Sequence, residues 1–378
     1  FKTNFVLGIY FKIKKLFYKN SLYTFDSYHK LVDLFDIEKH LKLIAKYIDQ
    51  SGTKNQLLKI ADDFIYGNIN IYDKNVNIND YTLDQFNLNR SKNQIYNKDI
   101  RFQWEVYRSN FLYNVSLAYL ITKNEDYANA ISDYIANWRS YSPITTKTVR
   151  YNGMESSIKL INLSFVHFFL KTHKKYEENI KPNLTESIIS HANYTLINYD
   201  ITIYGLESNH ALSCGIGLLY ASYLVPNYSN ARKWRKLGLR SIKRALRNQF
   251  SSDGVNFESS TNYHRFITEM LLFILAILYK HGEKTDFKIE NRIIQISNCL
   301  NRLTHLNGMI SRFGDSDGGK FLPDLGLPNG FCNLDYINWF NSYNTKVFYE
   351  TILFEGIPQL KNIIQNYYSS GSAGRYFI

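Results

Sequence analysis

The sequence predicts an all-α protein, a stacked or toroidal array of antiparallel helix pairs. Three observations predict it. Apolar residues recur at the helical period in segment after segment. Short polar links join neighbouring segments, which favours antiparallel pairs. Convincing strands are scarce until the last residues of the chain. Composition agrees: with 45% apolar and 21% charged residues and only 6 Pro in 378, the chain can bury a core and is not of the disordered class.

The elements follow in order. WEVYRSNFLYNVSLAYLITK (104–123) reads as a helix, and EDYANAISDYIANWRSYS (125–142) as its partner across the link KNED. In the second, Tyr127, Ile131, Tyr134, Ile135 and Trp138 fall at i, i+4, i+7, i+8 and i+11, one apolar stripe. SIKLINLSFVHFFLK, ESIISHANYTLINY and NHALSCGIGLLYASYLV continue the series, the last with Ser208 as its N-cap. ARKWRKLGLRSIKRALRNQF follows, with Trp234, Gly238, Ile242 and Leu246 in its stripe; the Arg and Lys opposite read first as a solvated face. EMLLFILAILYKHG and ENRIIQISNCLNRLTHL complete the set. No fixed repeat of identities and no Pro- or Gly-rich linker interrupts it, so residues 1–365 read as one domain. The texture then shifts to Gly, Ser and aromatics at SGSAGRYFI, so 366–378 read as the opening of a β-domain.

The net charge of +12 favours a polyanion, whether nucleic acid, acidic lipid or acidic polysaccharide, without choosing among them. Aromatics reach 16%, with 31 Tyr and 25 Phe, which suits the lining of a carbohydrate cleft and is equally what an AT-rich coding sequence yields. Cys214, Cys299 and Cys332 are widely spaced, so neither a zinc site nor a disulfide framework is expected. No apolar stretch is long enough to span a bilayer, and lysines interrupt VLGIYFKIKKLFY near the start. The chain opens on Phe and stops at GRYFI, so a fragment is expected, with any targeting signal outside it.

Five segments carry candidate chemistry. SNHALS sets Asn209 and His210 at a helix start, where an amide, an imidazole and free backbone N–H groups make a donor cluster for an anion, or else an ordinary cap with a core histidine. FESSTNYH supplies Glu258, Tyr263 and His264; adjacent helical residues point apart, so one of the last two is open to a structural role. RFQWEVYR places Trp104, Glu105 and Arg108 at a helix head, the last two spaced as a helical pair. GMESSIKLIN puts Glu155, Lys159 and Asn162 on neighbouring turns; its S-x-x-K match lacks the partner motifs of serine acyl-transferases. RFGDSDGG gives Asp315 and Asp317 in a glycine-rich loop, calcium-like at its start but with Gly326 where a bidentate Glu is needed. No Walker loop, Rossmann fingerprint, HExxH or zinc-finger spacing occurs, no metal ligand set is expected, and only net charge speaks for nucleic acid.

Taken in order, WEVYR, a helix bearing Trp138, GMESSIKLIN, SNHAL, NQFSSDGVNFESSTNYHRF and RFGDSDGG resemble the heparinase II/III-like family of polysaccharide lyases, itself similar to certain alginate lyases. The likeness runs from residue 100 to about 320. It implies an (α/α) toroid with an open cleft, and a β-sandwich domain of which the chain end is the first strand. It also implies β-elimination beside a uronic acid: Asn209 and His210 neutralise the carboxylate, and Tyr263 takes the C5 proton and passes it to the leaving oxygen. Glu258, His264, Glu155 and Asp315 are expected to shape the cleft, with Trp104, Arg108 and Lys159 gripping substrate. Lys159 departs from the family, where Arg is common and grips a carboxylate bidentately. No cofactor is expected in this chain, although some relatives bind a metal in the β-sandwich. The resemblance leans toward a periplasmic or exported bacterial protein. Two other readings stay open: an inverting hydrolase, which needs two carboxylates ~6.5–9.5 Å apart, and a non-catalytic binder of acidic glycan in polysaccharide assembly.

Overall fold

The computed structural model of the chain describes residues 30–34, 48, 54–71, 74–78, 100–141, 153–199, 208–283, 287–303, 310–316 and 320–321. Its contacts gather into two compact units, one of residues 1–33, 52–245 and 320–328, the other of 34–51, 246–319 and 329–378. Cys332, Asp317, the boundary expected at residue 365 and the strand expected over 366–378 lie outside the described residues.

The first unit begins with α1 (Lys54–Ile65), which turns through Gly67 into an antiparallel hairpin of β1 (Asn68–Ile71) and β2 (Lys74–Asn77). Ile69 pairs with Val76, and Ile69, Ile71 and Val76 are buried while Asn70 is exposed, the alternation of a half-buried strand. Then come α2 (Ile100–Arg108), α3 (Phe111–Thr122), α4 (Glu125–Tyr141), α5 (Gly153–Leu170), a π-helical turn (Tyr176–Ile180), α6 (Lys181–Ile197), α7 (Asn209–Leu224) and α8 (Ala231–Asn248), of which all but the last three residues fall in this unit. The helix expected over 104–123 is therefore two helices. Ser109 breaks it with a left-handed backbone (φ 58°), and its hydroxyl bonds locally to the carbonyl of Tyr107 at 3.1 Å and to Tyr134 Oη at 2.9 Å. A short hydroxyl side chain that competes for backbone groups makes such a break.

The helix pair α3 and α4 forms as the polar link requires. Lys123 ends α3 in the left-handed region, and Asn124 Oδ1 accepts the backbone N–H of Asp126 at the start of α4. Phe111, first in α3, meets Tyr134, far along α4, with ring centroids 5.4 Å apart, as antiparallel helices demand. At the centre lies α5, packed on α3, α6 and α7 and buried along its whole length. Its apolar residues fall on every side of the helix, which places it inside even with Glu155, Lys159 and Asn162 among them. Phe165 and Phe169 sit edge-on to Tyr113 at 5.1 and 5.2 Å, and each such buried ring contributes about 1.5–3 kcal/mol.

Close approach of α7 and α8 depends on glycine. A Cβ on Gly238 would come within 2.5 Å of the Gly215 carbonyl oxygen and 2.6 Å of Leu219. Residues 30–33 pack within the same unit. Val32 N–H bonds to Leu224 O at 2.9 Å, and Asp33 pairs with Lys171 at 2.9 Å and with His167 at 3.2 Å.

The second unit is built on α9 (Thr261–Lys280) and α10 (Phe287–Arg302), which pack on each other. The loop before α9 is tied to α10 by Arg292, whose guanidinium donates to the carbonyls of Phe250 at 2.8 Å, Ser252 at 3.1 Å and Ser251. Among the described residues no helix is long and apolar enough to cross a membrane.

Candidate functional site

In the first unit Glu105, Arg108, Glu155, Lys159 and Asn162 lie where α2 ends and α5 begins. The Arg108 guanidinium grips Glu155 with both arms, Nε to Oε2 at 2.6 Å and Nη2 to Oε1 at 3.0 Å, and its Nη1 also meets Glu105. Arg108 is 4% exposed and Glu155 fully buried. Planar, bidentate pairing is what makes such a buried ion pair tolerable. Glu155 sits in the first turn of α5, where the helix dipole favours a negative charge. Asn162, two turns on, donates to the Arg108 carbonyl at 2.8 Å and to Asn110 Oδ1, which locks the break between α2 and α3 onto α5.

Lys159 lies one turn after Glu155 and is 1% exposed, its ammonium 4.8 Å from the centre of the Tyr107 ring. Burial holds its pKa well below the ordinary lysine value. The Tyr107 hydroxyl lies 3.1 Å from Ser156 Oγ and 3.2 Å from His191 Nδ1. Burial, with the nearby Lys159, holds His191 well below the usual histidine range. Tyr107, Ser156 and His191 were not predicted as site residues. Tyr107 was visible as the neighbour of Arg108 in RFQWEVYR, but its partners come from α5 and α6. Trp104, on α2, is half-buried, and its indole N–H finds no acceptor among the described residues.

Asn209 and His210 open α7. Ser208 is the N-cap the sequence predicts, its side chain accepting from the His210 backbone N–H at 3.3 Å. Asn209 is buried and His210 half-exposed. A positive dipole end, an amide and an imidazole are thus collected at one helix terminus, a set of donors whose chemistry suits a carboxylate.

In the second unit Tyr263 and His264 fall in the first turn of α9, which begins eight residues before the apolar run that announced it. Ser260 caps it, accepting from Tyr263 N–H at 3.2 Å, while its hydroxyl donates to the Asp315 carbonyl. The loop over 310–316 is held there by paired bonds between Thr261 and Phe313, with Gly314 at φ +74° where a Cβ would strike the Ser259 carbonyl. This docking brings the Tyr263 hydroxyl to donate to Asp315 Oδ2 at 3.3 Å. The two neighbours part as helical geometry requires. Tyr263 is half-exposed, whereas His264 is buried, sits edge-on to Phe250, and bonds through Nε2 to the Ile296 carbonyl at 3.0 Å. Burial lowers the His264 pKa, against the Ile296 carbonyl, which raises it. Glu258 is half-exposed in the preceding turn, where its N–H is fixed by Asn256 Oδ1 at 3.0 Å. Asp253 serves the turn itself: its carboxylate accepts from Ser251 Oγ, which lowers its pKa. Among the described residues no group of three or more His, Cys, Asp or Glu could hold a metal ion.

The chain is similar to known proteins over much of its length. The family described as Heparinase II/III N-terminus matches residues 13–317. A heparin-sulfate lyase of Bacteroides stercoris is 22% identical over 211 residues, which cover 51% of this chain and 31% of that protein. A heparin-sulfate lyase of Pedobacter heparinus is 23% identical, over 44% of this chain and 25% of its own length. The chain thus spans about a third or less of these curated relatives. Among solved structures, the heparan sulfate lyase HepC from Pedobacter heparinus matches with a TM-score of 0.55 at 17% identity, over 69% of this chain and 41% of that one. A heparinase III structure matches with a TM-score of 0.51 at 14% identity, over 71% and 46%. At such identities the structures speak for the fold alone, and the fold they share is the all-α, paired-helix architecture predicted from periodicity. With most of its length matched, the chain belongs to the Heparinase II/III N-terminus family.

Proposed function

We propose that the protein is a lyase that cleaves an acidic, uronate-bearing polysaccharide by β-elimination. The reaction sets the requirements. The C5 proton of a uronate is weakly acidic while the neighbouring carboxylate is ionised, so donors must first quench that charge and hold the enolate-like intermediate. Asn209 and His210, at the dipole-positive end of α7, have the chemistry for it. A base then removes the C5 proton; its electrons form the C4–C5 double bond, the C4–O bond breaks, and the leaving oxygen takes a proton. Tyr263 is assigned both transfers: its phenolate takes the proton from C5, and the phenol returns it to the departing oxygen.

The observation that carries this reading is the divergence at the head of α9. Tyr263 is half-exposed with its hydroxyl beside Asp315, whereas the adjacent His264 is buried and bound to a carbonyl. That supports Tyr263 as the member of the pair that meets substrate, with His264 tying α9 to α10 and Asp315 orienting the phenol. Arg108, Glu155 and Lys159 are buried, which supports a positioning role behind the α2–α5 junction in place of direct grip on the sugar. The printed names of the relatives, heparin-sulfate and heparan sulfate lyases, make sulfated uronate polymers the first substrates to try.

The test is ultraviolet absorbance of unsaturated uronate across a panel of acidic polysaccharides. Tyr263→Phe is expected to abolish the signal while leaving polymer binding within about twofold. Asn209→Ala is expected to slow turnover by about 10²–10³, the usual loss for one donor to a developing oxyanion. Full turnover by Tyr263→Phe overturns the assignment.

A further inference from the structure

Helix α8, ARKWRKLGLRSIKRALRN, holds eight basic and no acidic residues, in a chain whose net charge is +12. One of its faces is packed away. Trp234, Gly238, Ser241 and Ala245 are buried, Gly238 against Gly215 and Leu219 of α7, and Ser241 Oγ donates to the Ala211 carbonyl at 3.2 Å. The other face is open: Arg232, Lys233, Arg235, Lys236, Arg240 and Lys243 are exposed. Of these, Arg232, Lys236, Arg240 and Lys243 fall at i, i+4, i+8 and i+11, a single row about 16 Å long at 1.5 Å per residue. None of these four carries an ion pair among the described residues. Like charges one turn apart weaken a helix. A polyanion laid along the row removes that repulsion and releases its own counterions.

The row has a direction. Ser241 meets Ala211, and Gly238 meets Gly215 and Leu219, so α8 runs antiparallel to α7. The Lys243 end of the row therefore lies toward the end of α7 that bears Asn209 and His210. The kind of polyanion follows from what the face lacks. Its apolar side is already packed on α7, which leaves no free apolar face to enter a bilayer. Its one aromatic residue, Trp234, is fully buried, which leaves no platform for stacking bases. A straight row of cations spaced by one helical turn suits an extended chain with an anionic group on each successive sugar.

We propose that the exposed face of α8 is a binding surface for anionic polysaccharide that holds the polymer and directs it toward Asn209 and His210. The direction of feeding rests on the lyase reading; the binding surface does not. The test compares the whole protein with the triple variant Arg232→Gln, Lys236→Gln, Arg240→Gln, using heparin as the probe over a range of salt concentrations. All three side chains are exposed, and circular dichroism checks that the variant stays folded.

The triple variant is expected to bind heparin about tenfold or more weakly. The slope of log affinity against log salt is expected to fall by about one for each cation removed. Tyr263→Phe keeps the wild-type affinity. Turnover of long polymer falls several-fold in the triple variant, while turnover of a tetrasaccharide is unchanged. Wild-type affinity and salt slope in the triple variant overturn the proposal, as does tighter binding of duplex DNA or of phosphatidylserine vesicles through the same three cations. Binding needs no turnover, so the two readings fail separately: loss of heparin binding in a protein that eliminates nothing upholds the surface and sinks the lyase, and unchanged binding in an active enzyme does the reverse.

Discussion

Arg108 reaches from the end of α2 to Glu155 at the start of α5, 47 residues further along the chain. Sequence spacing showed only its local partner, Glu105, three residues away; the buried bidentate partner depends on tertiary packing that no local pattern reports. Removing one member of such a pair strands a charge in the core. Arg108→Ala is therefore expected to cost about 3–5 kcal/mol in denaturant unfolding, and the double change Arg108→Met, Glu155→Leu to recover most of it. Tyr263 and His264 were legible as a pair, because a phenol and an imidazole beside Gly, Ser and Asp exceed what a turn needs. Which of them faces inward was not legible, since it depends on where Ser260 starts the helix. The buried histidines give a pH prediction. The folded-state pKa values of His191 and His264 lie below the unfolded value near 6.5. The unfolded chain therefore binds more protons as pH falls through that value, and stability is lost on acidification. The melting temperature is expected to drop between about pH 7.5 and about pH 5.5, and to drop less in His191→Gln or His264→Gln.

At the scale of elements, amphipathic segments read well, and α4, α8 and α10 lie close to where their stripes put them. The failures have physical causes. Ser109 breaks a continuous apolar pattern with a left-handed residue that is not glycine, so nothing in the pattern marks it. The hairpin at Asn68–Asn77 shows its period of two in only four residues per strand, NINI and KNVN, too little to stand out from an Asn-rich background. Helix α9 starts before its apolar run because its first turn, TNYH, is polar and interrupts no apolar stripe. Two tests belong here. Gly238→Ala puts a methyl group into the α7–α8 contact and is expected to destabilise by about 1–3 kcal/mol, read as a lowered melting temperature. Ser260→Ala removes both the cap of α9 and a tether to the Asp315 loop. A loss of about 1 kcal/mol is expected, with a larger fall in turnover than in polymer binding, because Asp315 would no longer be held beside Tyr263.

For the whole molecule, helix periodicity gave the fold class, and the order of the motifs gave the family. The identity of a uronate substrate was not legible in residue spacing, because stereocentres are read by a few side chains set in three dimensions. The central claim is elimination, and it leaves a chemical mark that no binding protein or hydrolase leaves. Mass spectrometry of the oligosaccharides released from heparan sulfate measures it directly. The account predicts fragments whose new non-reducing end is lighter by one water than the hydrolysis product, because a C4–C5 double bond has formed. Fragments whose new non-reducing end is saturated, one water having been added across the broken bond, would contradict it and point to a hydrolase that uses the carboxylates around Glu258 and Asp315.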